Sequence, residues 1–65
     1  MSKNRIEILK ETGESNSVCF IIVNDMTLQK TINERWCFVE NAKTLAKNLE
    51  NIYIAAGHPV FNFVK

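Results

Sequence analysis

A single amphipathic helix followed by one short strand, at residues 41–64, limits what this chain can fold into. Apolar residues recur there at the three- and four-residue spacing that builds one stripe along a helix. The stripe consists of Ala42, Leu45, Ala46, Leu49, Ile52, Tyr53 and Ala56. Asn41 is a suitable N-cap, Gly57 suits the left-handed position after a helix, and Pro59 prevents continuation. The pattern predicts a helix of about 16 residues, or about 24 Å.

The other apolar segments are typical of β-strands, because they alternate or are rich in β-branched and aromatic residues. We predict strands at residues 5–11, 18–23, 35–39 and 60–64. Residues 12–17 are small and polar, so they predict the loop of an antiparallel hairpin between the first two strands. Residues 26–34 fit a short helix, a strand or a loop, and we favour a strand or another extended segment.

A single α+β domain over residues 1–65 is the predicted architecture. We expect a small, mostly antiparallel sheet of three to four strands with one amphipathic helix packed on one face. The order along the chain is β-β-(β)-β-α-β, in which the bracketed strand is the segment 26–34 and residues 35–64 form a β-α-β crossover. A domain of this size buries only about 60% of the surface of its unfolded chain, so its core is small.

The composition argues against several classes of function. The formal net charge of +1 supplies no electrostatic basis for binding DNA, because such binding depends on neutralising several phosphates. The longest apolar run, residues 18–23, is far shorter than the roughly 20 residues of a membrane-spanning helix. Residues 1–7 are mostly polar and charged and lack the apolar core of a secretory signal, so we expect a cytoplasmic protein.

Apolar residues are in surplus, because one helix covers only about 10 Å of the width of a sheet face. The run at residues 18–23 places apolar side chains on both faces of its strand. We expect Val18, Phe20 and Ile22 to meet the helix and the alternate set to remain uncovered. An exposed apolar patch of more than a few hundred Å² usually marks an interaction site, so we predict that the uncovered face binds a partner.

The predicted partner-binding surface combines the uncovered set with the last strand, whose edge could pair with another chain. Its residues are Cys19, Ile21, Val23, Val60, Asn62 and Val64. A larger protein or a second copy of the chain would cover this surface, and we expect a homodimer. The alternative is that residues 26–34 fold back over the face and complete a monomeric core.

A second hypothesis is that aromatic residues at alternate strand positions stack the bases of single-stranded nucleic acid. The residues are Trp36, Phe38, Phe61 and Phe63, with Arg35 as a phosphate contact. Core packing is the competing explanation, because a domain this small needs its aromatic side chains inside. The balanced charge also disfavours nucleic acid as a partner.

The sequence carries no motif for catalysis, metal binding or cofactor binding. Cys19 and Cys37 lie inside apolar strands and are expected to be buried free thiols, with a disulfide between paired strands as the alternative. His58 follows the helix. Its partial positive charge next to the negative end of the helix explains this position better than a role as general base to either thiol does. We therefore predict a protein that is not an enzyme, has no cofactor and binds neither a metal nor a membrane.

Small, Asn- and Lys-rich chains without motifs are common among accessory proteins of phages and mobile elements. Such proteins often act by occupying a surface on a larger complex. The sequence therefore predicts a small non-enzymatic protein-binding module that acts as a stoichiometric regulator or inhibitor of a larger complex. A small single-stranded nucleic-acid-binding domain is the alternative.

Overall fold

The computed structural model describes residues 3–64 as four β-strands, one α-helix and one 3₁₀ turn. Residues 1, 2 and 65, which the predicted single domain also includes, lie outside the described residues. In chain order the elements are β1 (Ile6–Thr12), β2 (Val18–Asp25), β3 (Lys30–Phe38), the 3₁₀ turn (Val39–Asn41), α1 (Ala42–Ala55) and β4 (Val60–Asn62). The strands form one mixed sheet with one helix, which confirms the predicted α+β class.

The sheet has the spatial order β3-β2-β1-β4. Antiparallel pairing joins β1 to β2 and β2 to β3, so these three strands form a meander. β4 pairs with β1 in parallel and therefore runs in the same direction as β3, at the opposite edge. α1 joins these two edge strands and packs against one face of the sheet, which is the predicted β-α-β crossover.

Residues 26–34 extend the sheet and do not cover it. Residues 26–29 form the turn between β2 and β3, with Gln29 in the left-handed region at φ 56°. Residues 30–34 are the first half of β3, where an irregularity opposite Val23 and Asn24 shifts the register. The expectation of an extended segment is confirmed for residues 30–34 and is wrong for residues 26–29, which form a turn. The alternative in which this segment folds back over the sheet is wrong.

α1 begins and ends close to where the sequence pattern predicts. Asn41 is the N-cap residue, but its side chain makes no capping hydrogen bond, and a 3₁₀ turn leads into the 14-residue helix. At the other end, Gly57 has φ 92° and donates its amide to the Ile54 oxygen at 2.9 Å. The His58 amide donates to the Tyr53 oxygen at 3.0 Å. These two bonds form a Schellman motif, which needs the left-handed backbone that glycine adopts without steric cost.

The core lies between α1 and the sheet face that α1 covers. Its largest fully buried side chains alternate along β1 and β2, as a strand with one buried face requires. They are Ile6, Ile8, Cys19, Ile21 and Val23. From the helix, Ala42, Ala46 and Leu49 are buried against them. Ile52 was predicted in the buried stripe but is 61% exposed, because it lies at the edge of that stripe, turned away from Ala42, Ala46 and Leu49.

The two faces of β2 are the reverse of the prediction. Cys19, Ile21 and Val23 are fully buried on the helix side, whereas the even-numbered positions of 18–22 are half-buried on the uncovered side. The reason lies in β1, where Ile8 is buried on the helix side and alternation therefore places the glutamates on the uncovered side. The register pairs Ile8 with Val23, and paired residues share a face. The residues of β1 that face the helix therefore decide which residues of β2 face it.

Asp25 ties the end of β2 to the segment before β1. Its carboxylate accepts hydrogen bonds from Asn4 Nδ2 at 2.8 Å and from the Thr27 and Leu28 amides, both at 2.9 Å. Burial raises the pKa of Asp25, but these hydrogen bonds outweigh burial and leave the pKa below its ordinary value. The buried carboxylate is therefore satisfied, and it holds the turn between β2 and β3 in place.

Candidate functional site

The uncovered side of the sheet is the most distinctive surface of the described chain. Alternation along each strand places every second side chain there. We call this surface the open face, and its apolar residues are Leu9, Val18, Phe20, Ile22, Trp36, Phe38, Phe61 and Phe63. Opposed residues on neighbouring strands share a face. The pairing of Leu9 with Ile22, and of Phe20 with Trp36, therefore supports the grouping.

Four aromatic side chains of the open face are about half exposed. Trp36 is 57% exposed, Phe38 48%, Phe61 44% and Phe63 55%. An aromatic side chain carries about 200 Å² of surface, so these four alone expose roughly 400 Å² of apolar area. That area is roughly a tenth of the total accessible surface of 4611 Å². The open face is therefore in the size range of apolar patches that mark interaction sites.

The apolar residues of the open face form a diagonal stripe across the four strands. In order, the stripe passes the pairs Phe38–Val18, Trp36–Phe20 and Ile22–Leu9, and then Phe63 and Phe61. The rings of Trp36 and Phe38 meet edge to face with their centroids 5.2 Å apart. Phe63 lies just beyond β4, and its amide donates to the Ile8 oxygen at 2.9 Å, which continues the pairing. Strand spacing and rise give the stripe a length of about 25 Å.

The glutamates and the basic residues of the strands lie on different sides of the sheet, and the buried Asp25 at the end of β2 lies on the helix side. Glu7 and Glu11 occupy outward positions of β1, and Glu34 occupies an outward position of β3. The basic residues of the described strands are Lys10, Lys30 and Arg35, and each is paired with a buried residue of β2. Lys30 reaches the rim, where it lines a hollow of about 320 Å³ together with Glu7. The strand positions of the open face are therefore apolar and acidic. The exposed Arg5 precedes β1 on the same side, and the whole chain has a net charge of +1.

Carboxylates flank the apolar stripe on both sides. Glu11 lies beside Phe20 on one side of the stripe, and Glu34 lies beside Ile22 on the other. A strand spacing of about 4.8 Å and a rise of about 3.4 Å per residue place the two glutamate Cα atoms about 12 Å apart. Glu7 lies further along β1, and its Oε1 accepts a hydrogen bond from Asn24 Nδ2 at 3.2 Å. The stripe between the glutamates is about as wide as one α-helix.

The six residues predicted to bind a partner lie on the helix side of the sheet and not on the open face. They are Cys19, Ile21, Val23, Val60, Asn62 and Val64. Four are buried, while Val60 and Asn62 are half-buried. Asn62 Nδ2 donates to Glu50 Oε1 on α1 at 2.8 Å, and its Oδ1 accepts from the Val64 amide at 2.9 Å. Their predicted exposure is therefore wrong, whereas the position of β4 at a sheet edge is confirmed.

The four aromatic residues of the nucleic-acid hypothesis lie together on the open face, but the predicted phosphate contact does not. Arg35 lies on the helix side, where it lines a hollow with Thr44 and Leu45. Core packing of these aromatic side chains is also wrong, because all four are about half exposed. The open face therefore offers stacking surfaces beside carboxylates, which repel phosphate.

The two edges of the sheet differ in how much backbone they offer to another strand. β3 is the longer edge strand with nine residues, and β4 has three. The irregularity in the first half of β3 and the side-chain bond from Asn62 to the Val64 amide beside β4 both resemble devices that limit edge pairing. The open face is therefore the larger candidate surface.

The thiols and the histidine occupy separate structural positions. Cys19 and Cys37 are paired across β2 and β3 as free buried thiols with their Sγ atoms 3.7 Å apart, as predicted. Burial, together with the neighbouring Cys19 thiol, raises the pKa of Cys37 and so disfavours its nucleophilic thiolate. His58 Nδ1 lies 3.2 Å from the Asn4 backbone oxygen, and its ring lies beside Tyr53 with centroids 6.3 Å apart.

Residues 3–64 contain no group of three or more His, Cys, Asp or Glu side chains that could hold a metal ion. None of the described helical segments is long and apolar enough to cross a membrane. Within the described range, every buried side-chain nitrogen and oxygen has a hydrogen-bond partner.

The sequence contained a signal for the open face that the strand-by-strand interpretation missed. Glu7 and Glu11 mark the exposed face of β1, because charged side chains seldom enter a small core. Residues paired across the hairpin share a face, so the outward glutamates of β1 assign Phe20 and Ile22 to the same outward side. No family model matches this chain, and no curated protein or solved structure matches it.

Proposed function

We propose that this chain is a small, non-enzymatic protein-binding module that docks on a larger protein through its open face. The observation that supports the proposal most is the half-exposed aromatic set on that face. Aromatic residues are enriched in the cores of protein interfaces, where they carry much of the binding energy. While the four aromatic side chains of the open face remain half exposed to water, they contribute less hydrophobic stabilisation than they would if buried. A partner that covers the face would bury them.

The proposed mode of action is occupancy of a partner surface. A module that acts in this way needs no reactive group. Each copy would cover one site, so the effect on a larger complex would be stoichiometric, as expected of a regulator or inhibitor. The proposed location is the cytoplasm, where free thiols such as Cys19 and Cys37 persist.

A second copy of the chain is a poorer fit to the open face than a different protein. Two open faces packed against each other would bring the glutamates that flank one stripe close to those that flank the other. Like charges held together at an interface destabilise it. We therefore propose a different protein as the partner, in place of the predicted homodimer.

Site-specific photo-crosslinking in the native host cells tests this proposal. A benzophenone amino acid replaces Phe61 on the open face or, as the matched control, Lys47 on the exposed side of α1. We expect a crosslinked host protein from position 61, none from position 47, and loss of the product when Trp36→Ser and Phe38→Ser are added. Equal products from both positions would overturn the proposal. A product of twice the mass of the chain would identify a second copy as the partner.

Nucleic acid is tested by titrating labelled single-stranded DNA and RNA at low salt. We expect no binding at micromolar protein, because outward strand positions on the open face hold three glutamates and no basic residue of the described strands. Saturable binding that Trp36→Ser removes would replace the protein partner with a nucleic acid.

A further inference from the structure

We infer that the segment of the partner that covers the open face is an amphipathic helix with Lys or Arg on both flanks of its apolar stripe. This inference rests on the proposed function and adds the chemistry of the occupant. Three properties of the open face carry it, namely the length of the apolar stripe, its width and the charge on its flanks.

The length of the stripe suits one helix. A stripe of about 25 Å corresponds to a helix of about 17 residues, or between four and five turns. α1, with 14 residues, already covers the other face of the same sheet. A partner helix on the open face would complete an arrangement with helices on both faces, which is a stable way to bury both sides of a sheet.

The width of the stripe also favours a helix over a sheet. The Cα atoms of Glu11 and Glu34 are about 12 Å apart across the stripe, and an α-helix with its side chains is about 10–12 Å wide. A helix would fill the apolar space between the two carboxylates without covering them. A partner sheet would be wider, and it would bury both carboxylates, at a cost unless each is paired.

The carboxylates on the flanks of the stripe favour a positively charged partner helix. Long Lys and Arg side chains at the edges of a helix can lay their stems along the apolar stripe and place their charges beside Glu11 and Glu34. The net charge of the whole chain is +1, so a cationic helix is not attracted by the protein as a whole. At physiological salt, charges interact over only about 8 Å, so the preference would come from the open face itself.

Two synthetic helical peptides of about 17 residues test the inference. Both carry leucine along one stripe and lack tryptophan, and the remaining positions are lysine in one peptide and glutamate in the other. Trp36, the one tryptophan of the sequence, lies in the stripe and reports binding by its fluorescence. We expect the lysine peptide to shift Trp36 emission to shorter wavelength and to bind about tenfold more tightly than the glutamate peptide.

Charge reversal on the chain supplies the matched control. Glu34→Lys on the open face should weaken binding of the lysine peptide by about fivefold, because an attraction becomes a repulsion. Glu40→Lys makes the same change of charge at an exposed position in the 3₁₀ turn, outside the strands, and should leave the affinity within about twofold. Equal effects of the two substitutions would overturn the inference.

The outcomes separate this inference from the proposed function. Equal binding of both peptides, abolished by Phe63→Ser, would overturn the preference for a basic helix and leave docking on the open face intact. Failure of both peptides to bind at about 100 µM would overturn the helix as the occupant. In that case, the crosslinking products from position 61 would still decide the proposed function on their own.

Discussion

Ile21 and Ile22 are neighbours in β2, yet the structure predicts that the same substitution has different effects at the two positions. Ile21 is fully buried on the helix side, whereas Ile22 is half-buried on the open face. Each Ile→Val change removes one methylene group. The pair therefore compares the core with the open face at constant chemistry.

The magnitude follows from burial. Removing a methylene group from the core costs about 0.8 kcal/mol of transfer free energy plus a term for the space left behind, so Ile21→Val should cost about 1 kcal/mol. Ile22→Val should cost less than about 0.5 kcal/mol, because its methyl groups are partly in water already. Valine is preferred to alanine because a loss of about 2–5 kcal/mol could exceed the whole stability of so small a domain.

Urea unfolding followed by far-ultraviolet circular dichroism measures both costs. A small domain loses about 1 kcal/mol of stability per molar urea, so Ile21→Val should lower the midpoint by about 1 M and Ile22→Val by less than about half of that. Equal shifts would refute the reasoning, because Ile22 would then be packed as well as a core residue. A cost at Ile22 that grows with protein concentration would show that a second copy covers the open face.

Three further predictions concern a turn, a carboxylate and a thiol. Gly57→Ala should lower the free energy of unfolding by about 1–2 kcal/mol, because the backbone there has φ 92°, and an unchanged thermal midpoint would contradict this. Acid should destabilise the native chain more than its Asp25→Asn variant. The lowered pKa of Asp25 contributes stability above the ordinary aspartate value of about 3.9, and this is lost as the pH falls through the folded-state value. Urea midpoints at a series of pH values measure this loss of stability, and parallel pH profiles for the native chain and the variant would exclude a contribution from Asp25. Cys37 should react with iodoacetamide far more slowly in the native chain than in urea, because burial shields its thiol and raises its pKa, and equal rates by mass spectrometry would contradict its burial.

Local patterns were sufficient to predict most elements of this fold, but not the first half of β3. The helix was predictable because its apolar spacing, Gly57 and Pro59 all act within a few residues of one another. The buried free thiols followed from their apolar surroundings. The three-way choice at residues 26–34 was not resolved locally, because a turn, a register shift and half of a strand share that segment.

The assignment of faces depended on information from another strand. Both alternating sets of residues 18–23 are apolar, so β2 alone does not show which set is buried. Pairing with β1, which has glutamates on one face, decides it. The candidate site was affected in the same way. The aromatic residues of β3 and β4 were identified, but the carboxylates that share their surface became visible only with the register.

The parallel pairing of β4 with β1 has a consequence for the order in which the chain assembles. The meander β1-β2-β3 is built from neighbouring segments, whereas β4 must return across α1 to pair with a strand far away in the sequence. Long-range pairing of only three residues is expected to form late and to open first in hydrogen exchange. Phe61 and Phe63, which form one end of the apolar stripe, lie on or beside this strand. A partner that binds them would also stabilise the pairing of β4 with β1, so binding would lengthen the lifetime of the folded state.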